Sequence, residues 1–119
     1  MVAGVGLGAV AVLAVVGAAI ALSGSGESKA AGRALINGMV KAGGEFNIRA
    51  NEVVMGMVTG TRFTDTRPEM QEALVPQVPL GRLGRTEDIA EAIAFLASDR
   101  ASHISGAVLN VSGGFHVRL

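Results

Sequence analysis

The first 26 residues contain no Asp, Glu, Lys or Arg, and this stretch constrains the fold more than any other part of the 119-residue sequence. Within it, Val2–Leu22 is continuously apolar and rich in Ala, Gly and Val. About 20 apolar residues suffice to cross a bilayer, so a membrane span is one interpretation. A signal peptide ending near Ala19-Ile20-Ala21 is a second. Buried core of an α/β domain is the third, and the absence of basic and aromatic flanking residues favours it.

The composition excludes several classes of function. Ten basic residues balance ten acidic ones, so no net field attracts nucleic acid. The chain has no cysteine, and therefore no disulfide, no thiol nucleophile and no zinc–thiolate site. His103 and His116 lie far apart and have no acidic residues at ligand spacing, so no metal site is predicted. A chain of this length has room for one domain.

Two short patterns in the N-terminal third have more than one interpretation. The stretch Gly4–Ala9 matches GxGxxA, which binds pyrophosphate only when a strand precedes it and a helix follows it. Three residues cannot supply that strand, so packing glycines are the favoured interpretation. The serines of Ser23–Ser28 lie close to Lys29 and could form a Ser–Lys nucleophile, although a Gly/Ser-rich connection has the same composition.

Downstream, apolar periodicity predicts alternating helices and strands, which is the pattern of an α/β fold. The expected elements are a helix Ser28–Ala42, a strand Ile48–Val54, a short helix Pro68–Val75, a helix beginning near Thr86 and a strand Gly106–Val111. Ser28 and Thr86 are the expected N-caps. The first helix has an apolar face made of Ala31, Leu35, Met39 and Ala42, and the later helix is expected to bury Ile89, Ala92, Ile93, Phe95 and Leu96.

Three blocks in order then resemble one known family. They are SKAAG, NIRANEVVMG and VPLGRLGRTEDIAEAIAFLASDRASHISGAVLNVSGG. From Ser28 to Gly114 the sequence resembles the C-terminal half of a short-chain dehydrogenase/reductase of the 3-oxoacyl-carrier-protein reductase type. The resemblance implies the C-terminal part of a doubly wound, Rossmann-like parallel sheet with flanking helices. The expected organisation is an apolar segment 1–22, a Gly/Ser-rich connection 23–27 and a half-domain 28–119.

The resemblance also implies NAD or NADP as cofactor and assigns residues to it. Lys29 matches the lysine that holds the nicotinamide ribose and supports catalysis. The pair that follows the family's strand is Met55-Gly56 here, and Val58 with Thr59 or Thr61 matches the segment that reaches the cofactor amide. Asn51 matches an Asn common in that strand, for which a structural role is expected.

One catalytic position departs from the family. The family's tyrosine lies four residues before the lysine, at Ser25, and the chain contains no tyrosine. A serine hydroxyl is a poor acid or base in place of a phenol. No convincing glycine-rich turn for the cofactor pyrophosphate is present. We therefore expect an incomplete or catalytically impaired oxidoreductase, for which tight cofactor binding by this chain alone is doubtful.

The alternative is a non-catalytic subunit or oligomerisation scaffold derived from the same family. Either role implies a homo-oligomer or association with a complete family member. An active form would act on a small carbonyl or alcohol substrate, but the loop Gly60–Gln77 has no residue that identifies it. The expected location is cytoplasmic, with a membrane anchor through residues 2–22 as the alternative.

Overall fold

A computed structural model describes residues 10–15, 18–23 and 26–115 of the chain. The GxGxxA match Gly4–Ala9 falls outside the described residues, and so do Ser25 and His116. The strands are β1 (Val10–Val15), β2 (Ala18–Ser23), β3 (Ala50–Met55) and β4 (Val108–Val111), and the helices are α1 (Gly26–Gly43), α2 (Arg62–Asp65), α3 (Pro68–Leu74) and α4 (Thr86–Ala97). Single 3-10 turns lie at Gly44–Phe46, Val75–Gln77 and Asp99–Ala101.

The four strands form one sheet in the order β2-β1-β3-β4, with β3 and β4 parallel. Parallel strands need a long crossover, and here the crossover carries α2, α3 and α4. Its helix α4 packs on one face of β3, and α1 packs on the other. The predicted α/β class with flanking helices is confirmed.

The apolar N-terminal segment contributes a hairpin that the sequence did not predict. β1 pairs antiparallel with β2 on one side and with β3 on the other. Two residues separate β1 from β2, and a connection that short can join antiparallel strands but not parallel ones. Among the described residues, no helix is long and apolar enough to cross a membrane.

Helix α1 begins at Gly26, so the prediction that Ser28 caps it is wrong and Ser28 lies inside the first turn. Its inward face is formed by Ile36, which is buried against Ala50 with Met39 and Val40 beside it. The predicted apolar face looks outward instead, apart from the half-buried Met39, and Leu35 is 47% exposed. The helix carries apolar residues on two sides, and periodicity alone did not show which side the sheet covers.

Helix α4 begins one residue after its cap, and the cap is Arg85 rather than the predicted Thr86. The carboxylate of Asp88, the third residue of the helix, accepts a hydrogen bond from the Arg85 backbone N–H at 2.8 Å. This bond satisfies one of the N–H groups that the start of a helix leaves without a partner. Of the predicted inner face, Ile89 and Leu96 are buried, whereas Phe95 is 39% exposed. Ala92 and Ile93 are half-buried.

Arg49 and Asn51 fasten the surrounding loops to β3. The guanidinium of Arg49 donates to the carbonyl oxygens of Leu96, Ser98 and Ile104 at 2.7, 3.1 and 3.2 Å. The buried amide of Asn51 donates to the Ile104 carbonyl at 2.9 Å, and its oxygen accepts from the Ala107 N–H at 3.0 Å. Both side chains satisfy backbone groups between α4 and β4, which is the structural role expected for Asn51.

Candidate functional site

The candidate site lies at the edge of the sheet where β3 and β4 end. Parallel strands present their carboxyl ends on one side, which is where ligands bind in open α/β sheets. The Gly56 N–H donates to the Val111 carbonyl at 3.1 Å, directly after both strands stop. A Cβ built on Gly56 would lie 2.9 Å from the Ser112 Cβ and 3.1 Å from its Cα. Glycine is therefore required here because the two chain segments approach so closely.

The segment after Gly56 runs beside Gly84 and is held there by backbone hydrogen bonds. The Gly84 N–H donates to the Met57 carbonyl at 3.0 Å, and the Thr59 N–H donates to the Gly84 carbonyl at 2.8 Å. The side chain of Val58, 4% exposed, lies in the hydrophobic core with Val53, Met55, Ile89 and Leu96. Val58 can therefore present only backbone groups to a ligand.

The two candidate threonines have their hydroxyl groups in hydrogen bonds within the fold. The Thr59 hydroxyl donates to the Gly84 carbonyl at 3.2 Å. The Thr61 hydroxyl caps α2 by accepting from the Thr64 N–H at 3.3 Å, and it lies 2.8 Å from the Thr64 hydroxyl. Thr61 is thus a helix N-cap, a role that its position before Arg62–Asp65 could have indicated.

The structure brings Gly56, Val58, Thr59 and Thr61 together on one loop, whereas the two catalytic candidates come from another element. Lys29 lies near the start of α1, and Ser25, at the family's tyrosine position, falls outside the described residues. Of the other serines near Lys29, Ser23 ends β2 and Ser28 lies in α1. The Ser–Lys nucleophile stays an untested hypothesis.

A cavity of about 440 Å³ adjoins the candidate loop. Its lining joins that loop to α3 and to the turn before α4, and consists of Thr59, Gln71, Val75, Gly81, Arg82, Leu83 and Arg85. The Gln71 amide donates to the Thr64 carbonyl at 2.6 Å, so that group supports the wall. The loop Gly60–Gln77 contributes Gln71 and Val75 to this lining.

Arg82 carries the shortest ion pair at this cavity. Its guanidinium donates to the Asp88 carboxylate at 2.8 Å. That hydrogen bond, together with the Arg85 backbone N–H, lowers the pKa of Asp88 from its ordinary 3.8 to about 2. The pKa of Arg82 is raised by the same carboxylate. Asp88 therefore stays ionised at neutral pH and serves as a structural anion rather than a proton donor.

Sequence reasoning did not single out Glu52, which is the most unusual charged residue of the fold. It lies in the middle of β3 on the face that α1 covers, and it is 2% exposed. The Arg33 Nε lies 3.6 Å from its Oε2, and that oxygen accepts no hydrogen bond within the part of the chain that the structure describes. A glutamate inside the apolar run of β3 was the signal available in the sequence.

Comparison with known proteins identifies the class. A family model described as enoyl-(acyl carrier protein) reductase matches residues 1–116. The fold also matches a solved structure of the short-chain dehydrogenase/reductase family. The chain belongs to the short-chain dehydrogenase/reductase family.

Individual relatives are similar over part of their length. An uncharacterised oxidoreductase of Bacillus subtilis is 37% identical over 75% of this chain and 37% of its own. The 3-oxoacyl-[acyl-carrier-protein] reductase of Pseudomonas aeruginosa is 46% identical over 59% of this chain and 28% of its own. The chain thus spans about a third of the length of the curated relatives it matches.

Two solved structures superpose well on the fold. A short-chain dehydrogenase/reductase from Burkholderia thailandensis gives a TM-score of 0.70 at 31% identity, covering 76% of this chain and 36% of that one. A putative 2-deoxy-D-gluconate 3-dehydrogenase from Agrobacterium tumefaciens, solved with bound NADP, gives 0.67 at 30% identity, covering 77% and 38%.

At the sheet edge, backbone groups are more available to a ligand than side chains are. Gly56 lets the ends of β3 and β4 pack closely, and the segment that follows it is hydrogen-bonded to Gly84. The hydroxyls of Thr59 and Thr61 donate or accept inside the fold, so their remaining lone pairs are what a ligand amide could use.

Proposed function

We propose that this chain is an NAD(P)-linked oxidoreductase component of the 3-oxoacyl-carrier-protein reductase type, corresponding to the C-terminal half of that fold and catalytically impaired as it stands. The proposal is carried by one observation, the parallel ends of β3 and β4 with Gly56 packed against Ser112. Ligands of α/β sheets bind at such an edge. The bound cofactor would supply or accept the hydride for a small carbonyl or alcohol substrate.

In this proposal the cofactor is held by residues of two elements, the loop after β3 and helix α1. Backbone groups of Gly56 and Val58, with Thr59 and Thr61, hold the amide end of the cofactor. Lys29 holds the ribose and is the one strong cation assigned to the catalytic step. The NADP in the Agrobacterium structure supports a nicotinamide cofactor for this chain.

Ser25 sets the limit on catalysis. The proton on the substrate oxygen must come from or go to an acid whose pKa lies near neutrality, and an alkyl hydroxyl lies far above that range. With Ser25 in the tyrosine position, proton transfer has no efficient donor. We therefore expect little or no turnover by this chain.

Titration of NADPH, followed by its fluorescence, tests the cofactor part of the proposal. We expect no micromolar binding of NADPH to the purified chain. Its sequence has no glycine-rich turn with a strand before it and a helix after it, which is the arrangement that binds the cofactor pyrophosphate. Micromolar or tighter affinity would show that the chain carries a complete cofactor site and would contradict the impairment proposed here.

An assay with acetoacetyl thioesters and NADPH tests catalysis. We expect no turnover from the unmodified chain, and none from Ser25→Tyr, since restoring a phenol does not restore the cofactor site. Turnover by the unmodified chain would mean that the proton donor lies elsewhere, and Lys29→Ala would then show whether the lysine takes part.

A non-catalytic subunit or scaffold is the second candidate, favoured by the outward apolar face of α1. Leu35 is 47% exposed there, flanked by the exposed small residues Ala31, Gly38 and Ala42. Small residues permit close helix approach, and exposed apolar faces seek partners. The partner proposed is a second copy of this chain or a complete family member.

The cytoplasm is the location that goes with both candidates. Residues Val10–Val15 and Ala18–Ser23 pair as strands with the rest of the sheet, which supports a role for the apolar segment in the fold. Membrane anchoring through residues 2–22 stays the alternative. Fractionation of cells that express the tagged chain would separate the two.

A further inference from the structure

The edge of the sheet opposite the candidate site has a cavity of its own. It measures about 420 Å³ and lies where the amino ends of the parallel strands β3 and β4 meet the C-terminal end of α1. This volume falls within the range of small-molecule sites, about 300–1,000 Å³. The polar part of its lining consists of Asn47, Arg49, Ser102, His103 and Ser105.

The fixed charge in this lining is that of Arg49, which is half-buried. Its guanidinium donates to three backbone carbonyl oxygens, but it forms no ion pair with a carboxylate among the described residues. A charge taken partly out of water is costly unless it is paired as well as hydrogen-bonded. The cavity therefore adjoins a cation that lacks a counter-ion within the described part of the chain.

The guanidinium of Arg49 also has donors to spare. It carries five N–H groups, and its three bonds use both of those on Nη1 and one on Nη2. The Nε–H and the second N–H of Nη2 have no partner among the described residues, and Nε is not fully buried. Nε and Nη2 form one edge of the planar group, and such an edge binds two oxygens of a phosphate or carboxylate at once.

Hydroxyl and imidazole groups add further donors to the same cavity. The Ser105 hydroxyl accepts from the Ala50 N–H at 3.2 Å, so its own proton is available to another acceptor. Ser102 and His103 line the cavity from exposed positions. The imidazole of His103 adds a second positive charge when it is protonated.

The helix end at this cavity does not supply the missing negative charge. The C-terminus of a helix carries a partial negative charge on carbonyl groups that lack partners. Here the carbonyl oxygens of Gly43 and Gly44 accept the backbone N–H groups of Ile48 and Asn47, each at 3.0 Å. Those two carbonyls are therefore already occupied.

The charged side chains of the adjoining turns balance one another. Glu45 and Asp99 are the carboxylates of these turns, and both are exposed and absent from the cavity lining. Lys41 lies one turn before Glu45, and Arg100 follows Asp99 directly, so each segment contributes one charge of each sign. The uncompensated charge at the cavity is that of Arg49.

We propose that this cavity is a binding site for the phosphate group of a small phosphorylated molecule, held by the free edge of Arg49 and by the hydroxyls of Ser102 and Ser105. A phosphate monoester carries a charge of about −1.5 to −2 near neutral pH and three strong acceptor oxygens, so it supplies both the counter-charge and the acceptors that these groups lack. The remainder of the cavity holds the organic part of the ligand. The site lies at the opposite edge of the sheet from Gly56 and does not depend on the proposed cofactor site.

The ring signals of His103 in NMR spectra of the full chain report the occupancy of this cavity. The chain has one other histidine, His116, and His103→Gln shows which signal belongs to which residue. We expect inorganic phosphate to shift the His103 signal saturably when it replaces chloride at constant pH and ionic strength. Ribose 5-phosphate should reach saturation at a lower concentration than phosphate, because its sugar fills part of the remaining cavity, and ribose alone should have no effect.

Variants connect the signal to the proposed contacts. Arg49→Gln should weaken phosphate binding at least about tenfold, since it removes charge-assisted hydrogen bonds, and Ser102→Ala should weaken it about threefold. Arg62→Gln is the matched control, because it removes the same charge from an exposed position in α2, beyond the other edge of the sheet. It should leave the affinity for phosphate unchanged.

Several results would overturn the proposal. If both histidine signals drift together without saturation, phosphate acts as bulk salt, and if Arg49→Gln binds as the parent does, the phosphate lies elsewhere. Circular dichroism shows whether Arg49→Gln keeps its fold; if it does not, the exposed substitution Ser102→Ala decides, and an unchanged affinity refutes the site. Weaker binding of ribose 5-phosphate than of inorganic phosphate would make phosphate an adventitious ion only and would refute a phosphorylated ligand.

Discussion

Replacing Arg49 by alanine should cost more stability than any other arginine substitution away from the candidate site. Its guanidinium satisfies three carbonyl oxygens, two at the C-terminal end of α4 and one before β4. A hydrogen bond to a charged group contributes about 1.5–3 kcal/mol net, and bonds from one group do not add fully. Because the site is only half-buried and water can reach part of it, we estimate a loss of about 2–4 kcal/mol.

Urea unfolding followed by far-UV circular dichroism measures this loss, since the chain has no Trp or Tyr to report by fluorescence. Arg49→Lys should recover only part of it, because an ammonium cannot reach three carbonyls in the planar geometry of a guanidinium. Arg100→Ala is the control: Arg100 is exposed, and its recorded contact is the Phe95 ring at 6.0 Å, so its loss should stay below about 1 kcal/mol. If Arg49→Ala unfolds at the same urea concentration as Arg100→Ala, the three hydrogen bonds of the Arg49 guanidinium do not stabilise the fold.

Three further predictions follow from the described contacts. Gly56→Ala should lose about 1–3 kcal/mol in the same urea assay, because its Cβ would meet the Ser112 backbone; an unchanged midpoint would mean that β3 and β4 end farther apart. Asp88 has a pKa lowered to about 2 in the folded chain, so its stabilising effect is present above its ordinary pKa of 3.8 and is lost as the pH falls toward 2. Asp88→Asn should therefore flatten the pH dependence of the urea midpoint between about pH 4 and 2, and an unaltered slope would refute the pairing with Arg82. Leu35→Glu should shift a self-associated chain toward monomer in light scattering, and a parent that is already monomeric and folded would remove the basis for association through α1.

Local patterns were sufficient to place most of the regular structure. The helix α1, the strand β3 and the helix α4 each lie within a few residues of their predicted bounds, since apolar spacing and glycine stops act over one or two turns. The caps were not predicted correctly. The helix starts with Arg85 as its cap, and Asp88 accepts the Arg85 N–H from inside the helix. A cap by the Thr86 hydroxyl was an equally reasonable prediction from the local sequence.

The binding roles assigned to the candidate site stay predictions. The sequence grouped Gly56, Val58, Thr59 and Thr61, and the structure places them on one loop at the carboxyl edge of the sheet. It did not indicate that the Val58 side chain enters the core or that the threonine hydroxyls bond within the fold. The bond of Thr59 depends on the path of the chain around Gly84, which lies more than 20 residues away in sequence, whereas the cap made by Thr61 is local.

The sequence by itself determined the α/β class, the family and the absence of a tyrosine at the catalytic position, because these depend on composition, short-range periodicity and ordered motifs. Only the tertiary structure decided which face of α1 is covered, that the N-terminal strands pair antiparallel, and that Glu52 is enclosed beside Arg33. Each of these is a pairing between segments distant along the chain. The hydrophobic effect is non-directional and favours the burial of any apolar face. Which face of α1 is buried is therefore decided by how the helix packs on the whole sheet.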